Sequence, residues 1–78
     1  MLEKLDAIII LKFGNPIIYK VKYGTTDYLI EKTGLHYSTQ KGDTLYHIFG
    51  VVSCNTYFKI QLNTKTLNCY LVEQLEVS

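Results

Sequence analysis

The chain has 78 residues, with eight lysines and no arginine against seven acidic residues, for a net charge of +1. A chain of this length is expected to be one domain over residues 1–78, burying only about 60% of its unfolded surface, which leaves room for one modest core and none for a deep substrate cavity. Near-neutrality gives no support to a phosphate-backbone binder, and without arginine there is no bidentate fork to read phosphates, carboxylates or guanine edges.

Apolar and polar residues alternate along most of the chain, the period of a half-buried strand. Helix, if any, is confined to Met1–Asp6. Ala7–Phe13 and Ile17–Tyr23 flank Gly14-Asn15-Pro16, and a three-residue loop pairs Phe13 with Ile17, Leu11 with Tyr19, Ile9 with Val21 and Ala7 with Tyr23 as an apolar face. The opposite face then carries Ile8, Ile10 and Ile18 among Lys12, Lys20 and Lys22. A four-residue turn, Gly24–Asp27, sets Tyr28 opposite Tyr23 and Ile30 opposite Val21, with Lys20 facing Glu31.

Thr33–Thr44 is polar and holds the turn signal Lys41-Gly42-Asp43. If Leu35–Thr39 pairs with Thr44–Ile48, the two histidines, His36 and His47, face each other. Leu45–Cys54 is a long apolar strand whose interior Gly50 marks a bulge or a bend, and Asn55 is the following turn. In the last hairpin, Asn63–Thr66 is the turn, Leu62 faces Leu67, Ile60 faces Cys69 and Phe58 faces Leu71. Tyr57, Lys59, Gln61, Asn68 and Tyr70 then share the outer face. Val72–Gln74 reads as a tight turn before a short strand, Leu75–Val77.

The fold class that follows is all-β: a small antiparallel barrel or rolled sheet of five to seven strands with little or no helix, curled to cover its edges. This register holds Cys54 and Cys69 too far apart for a disulfide, so two free thiols are expected. Phe49-Gly50-Val51-Val52, Asn55, Tyr57–Leu62 and the closing Val72–Val77 resemble the bent central strand, following strand and terminal tight turn of Sm-like and Src-homology-like small barrels. That resemblance implies a fold and no functional residue.

The longest apolar run, Ala7–Leu11, is too short for a membrane span, and Glu3 and Asp6 sit where a signal peptide needs a basic start. A cytoplasmic protein with no membrane partner is expected. Two histidines with only Asp43 near them fall short of a zinc site, neither cysteine has a catalytic signature around it, and no glycine-rich phosphate loop occurs. No catalytic residue, cofactor or metal is expected.

The binding candidates are Ile8, Ile10, Lys12, Ile18, Lys20 and Lys22 on the first hairpin, where apolar residues rimmed by charge make an interface composition, and Tyr57, Lys59 and Tyr70 on the last. The reading is a non-enzymatic β-domain working through protein–protein contact, with a homo-oligomer among its partners. The missing arginine, together with abundant Ile, Tyr, Asn and Lys, suggests an AT-rich source such as a phage or mobile element, hence an inhibitor or adaptor. The alternative is a small barrel binding single-stranded RNA, with lysines on phosphates and Tyr57 and Tyr70 stacking on bases.

Overall fold

The computed structural model describes residues 3–76. The alternating runs form seven strands: β1 (Glu3–Lys12), β2 (Asn15–Tyr23), β3 (Thr26–Leu29), β4 (Lys32–Lys41), β5 (Thr44–Ser53), β6 (Thr56–Asn63) and β7 (Cys69–Glu76). They lie in one antiparallel sheet, in the order β3-β2-β1-β7-β6-β5-β4, curled into a half-barrel. β1 starts at Glu3, so Glu3–Asp6 is strand rather than helix; Met1, Leu2 and Val77 lie outside the described residues.

Turn chemistry explains most of the departures in register. Phe13-Gly14 and Cys54-Asn55 have positive φ at both residues, the type I′ pattern, while Gly24 and Gly42 supply positive φ at the first position of two further two-residue turns. Such turns match the right-handed twist of the flanking strands. They therefore replace the expected three- and four-residue loops, pairing Lys12 with Asn15 and Tyr23 with Thr26. Tyr28 consequently faces Val21, and Lys20 meets Asp27 at 3.3 Å instead of Glu31.

Three bulges make the remaining departures. In the first hairpin the register shifts between Ile8 and Ile9, leaving Tyr19 as the extra residue of β2. The two sides of that bulge differ in parity, so Ile18 and Val21 both turn inward although three positions apart. Ile18, expected on the outer face, is 1% exposed, whereas Tyr19, expected in the core, is half exposed. Ile17 takes the outer position opposite Ile10.

The last hairpin keeps the expected parity and slips by two, so that Ile60 faces Leu71 and Leu62 faces Cys69. Its turn is longer than expected because Asn63 organises a wider loop, its Oδ1 accepting from the Lys65 and Thr66 amides and its carbonyl from the Leu67 amide. The tight turn expected at Val72–Gln74 is a bulge at Val72 within one continuous β7. That feature of the small-barrel resemblance is therefore missing. The third bulge is Gly34 in β4, beside Gly50. A Cβ on Gly50 would lie 2.6 Å from Tyr57 Oη and 2.9 Å from Leu35 Cβ, so glycine is what lets the Tyr57 ring lie across β5.

The core joins β1 and β2 to β5, β6 and β7: Leu5, Ile18, Val21, Phe49, Val51, Phe58, Ile60, Leu62 and Cys69. Tyr23 and Tyr28 present their edges to Phe58 at ring separations of 6.5 and 5.0 Å, a favoured aromatic geometry. Fully buried Ser53 donates from Oγ to the Leu29 carbonyl at 2.5 Å, and the Glu31 amide donates to the Val52 carbonyl. These two bonds tie the end of short β3 to the end of β5 and hold the curl of the sheet.

Candidate functional site

β7 pairs with β1 only over Glu3–Leu5, and β3 pairs with β2 only over Lys20–Tyr23. The distal part of the first hairpin, from about Ile10 to Ile17, therefore projects past its neighbours as a two-stranded arm, while the Ile9–Ile18 pair at its base packs into the core. Its outer side carries Ile8, Ile10 and Ile17, its inner side Leu11 and Pro16, and its tip Phe13. Leu11 is 73% and Phe13 94% exposed.

Phe13 also has φ +52°. A bulky side chain in the left-handed region pays a steric penalty of about 1–2 kcal/mol, and at this turn position asparagine or glycine is the relaxed choice. Folding thus leaves Phe13 both strained and hydrated. Backbone strain of this kind concentrates at functional sites.

A second residue of the same kind lies across a groove from the arm. Leu67, in the loop after β6, has φ +62° and is 72% exposed. The groove has a volume of about 540 Å³ and is walled by Ala7, Ile9 and Leu11 of the arm, by Leu62, and by His47, with Pro16 and Leu67 at its rim. Among the described residues no Lys, Asp or Glu lines it and most of its wall is aliphatic, so it suits apolar groups.

At the His47 wall the histidines are not directly opposite: His36 pairs with Phe49, and Ser38 with His47. Their rings nevertheless meet, with His36 Nε2 and His47 Nδ1 3.1 Å apart and His36 stacked on Phe49 at 4.5 Å. Partial burial, and then the charge of His36, hold His47 below the usual imidazole range. Among the described residues no three His, Cys, Asp or Glu side chains converge on a metal-sized position.

The expected binding residues separate into two places. Ile8, Ile10 and Lys12 lie on the outer side of β1, joined by Ile17 in place of Ile18. Lys20 and Lys22 lie beside them but face acids: Lys20 is bonded to Asp27, and Lys22 stands between Asp6 and Asp27 in the pairing. Tyr57, Lys59 and Tyr70 share the outer face of β6–β7, all half-buried, with Lys59 opposite Glu73 and Tyr57 laid over Gly50. Alternation alone could not single out Phe13 and Leu67, because it placed both on the core face. The signal that could have is the dipeptide Phe13-Gly14, a two-residue turn with an aromatic where asparagine belongs.

Both cysteines are free. Cys54 is exposed, and burial pushes the Cys69 thiol up to about 11, which keeps it protonated and unreactive. Among the described residues no helix is long and apolar enough to cross a membrane. Comparison of the chain with protein-family models, curated proteins and solved structures gave no match.

Proposed function

We propose that this is a non-enzymatic binding protein whose β1–β2 arm docks onto a protein partner, with Phe13 as the anchor and the groove beneath the arm receiving apolar side chains in return. The observation that carries this reading is Phe13 itself: a phenyl ring almost fully hydrated, on a strained backbone, at the end of a projecting hairpin. Isolated two-stranded hairpins are marginal in water, and aromatic anchors seated in a partner's pocket dominate protein interfaces. The arm's two apolar sides suit a partner that closes around it. An inhibitor or adaptor, the class expected from composition, would work through such a contact.

The RNA-binding alternative draws no comparable support, since the acids beside Lys20, Lys22 and Lys59 offset the positive field that phosphate tracking needs. The decisive experiment is affinity capture from the source cell with the intact chain and with Phe13→Asn, followed by a salt series on the captured complex. A protein retained by the first and lost by the second, with little salt dependence, is the expected result. Capture of nucleic acid that weakens steeply with salt, or equal capture by both chains, overturns it.

A further inference from the structure

We infer that two copies of this chain associate through β4, pairing edge to edge in antiparallel fashion about a two-fold axis at Ser38, to form one continuous sheet across the dimer. This surface is separate from the arm and does not depend on the function proposed for it.

β4 is an edge strand of ten residues, exposed along its length except for half-buried Thr39. Lys41 and Thr44 flank a two-residue turn and so form a hydrogen-bonded pair. Alternation from there directs the main-chain groups of Tyr37 and Thr39 toward β5 and those of His36, Ser38 and Gln40 away from the sheet. An outward row of N–H and C=O groups is a template for another extended strand.

Two of the other free edges, those of β3 and β2, are blunted. β3 has only four residues and carries Asp27. The arm's free edge on β2 contains Pro16, which has no N–H to offer. β4 has its bulge at Gly34, and beyond it Leu35–Gln40 holds no proline, glycine or charged residue.

The occupant is a second copy because this edge is complementary to itself. With Ser38 opposite Ser38 of the second copy, His36 faces Gln40 and Leu35 faces Lys41. Every outward-directed residue then meets another, for about six main-chain hydrogen bonds. The two Lys41 ammonium groups lie at opposite ends, so no like charges oppose each other, and the chain's net charge of +1 adds little repulsion. A pairing centred on Tyr37 would instead run Gln40 into the bulged Gly34 and lose about two of those bonds. Seven residues span only about 24 Å, so the contact is small and the dimer is concentration-dependent.

Sedimentation of the intact chain over a series reaching the high-micromolar range should show its 9.0 kDa mass doubling as concentration rises. Ser38→Lys opposes like charges on the axis and should weaken the dimer by roughly tenfold or more while leaving the far-ultraviolet spectrum unchanged. Ser38→Pro, which deletes the paired N–H of Ser38 in each copy, should act in the same direction. On a Cys54→Ser background, Ser38→Cys should form an intermolecular disulfide on mild oxidation, and His36→Cys should not, because only position 38 meets itself. A chain monomeric at every concentration overturns the inference. So does a dimer indifferent to both Ser38 variants, a cross-link at position 36 instead of 38, or a dimer dissolved by Phe13→Asn, which would place the contact on the arm.

Discussion

The two halves of the first hairpin show how one pair of strands serves two purposes. Up to the bulge, Leu5 and Val21 are clamped between β7 and β3 and, with Ile18 just past it, belong to the core; farther out, Ile10, Leu11, Phe13 and Ile17 stand clear of the sheet with apolar groups on both sides. Stability resides in the first half, and the second spends conformational strain at Phe13 to present a hydrophobic tip. Sequence composition hardly differs between them. The difference lies in which neighbours reach them, and substitutions on the two sides should therefore have opposite consequences.

The largest effect is expected in the core. Ile60→Ala leaves a cavity among Phe49, Phe58 and Leu71 and should cost about 2–5 kcal/mol in a denaturant titration; a loss below about 1 kcal/mol would show that Ile60 is not core. Next is the tie between the sheet ends: Ser53→Ala strips the Leu29 carbonyl of its buried donor and should cost about 1–3 kcal/mol. An unchanged midpoint would mean that Ser53 does not hold the curl.

On the arm the sign reverses. Phe13→Asn relieves the left-handed strain and completes an Asn-Gly type I′ turn, so thermal stability should rise by up to about 1 kcal/mol while partner binding is lost. A fall in stability would mean that the ring packs onto the fold after all. Ile10→Lys, on the exposed outer side, should change stability by less than about 0.5 kcal/mol and still weaken binding, because it places an unpaired charge in an apolar contact.

The smallest expected effect is a pH dependence at the wall between core and groove. His47 is held below its unfolded value of 6.5 by burial and by His36, so the folded chain binds this proton less well than the unfolded chain. Its contribution is complete above that value and declines as pH falls through it. His47→Gln should flatten the acid side of a stability-against-pH curve between about 7 and 5; an identical slope in the variant would assign it to other groups.

Local chemistry made much of this legible in advance. The period of two, the turn signals at Gly24, Gly42-Asp43 and Asn55, and the grouping of Phe58, Ile60, Leu62, Cys69 and Leu71 on one face all depend on residues within a strand or its turn. The candidate site was partly legible: Ile8 and Ile10 lie exposed on the arm as alternation places them, while Ile18 was lost to the core and Phe13 and Leu67 were assigned to it.

Strand content, the parity of the strands away from the bulges and the turns centred on Gly24, Gly42-Asp43 and Asn55 were thus determined by the amino-acid sequence itself, because each rests on steric preferences of neighbouring residues. Tertiary structure alone decided the bulges at Tyr19, Gly34 and Val72, and with them which side Ile17 and Ile18 would face. A strand gains an extra residue where the sheet must twist more sharply to curl over its core, and how sharply depends on strands far away in the chain. The arm emerges for the same reason: β1 and β2 are longer than the lengths over which β7 and β3 can follow the curl.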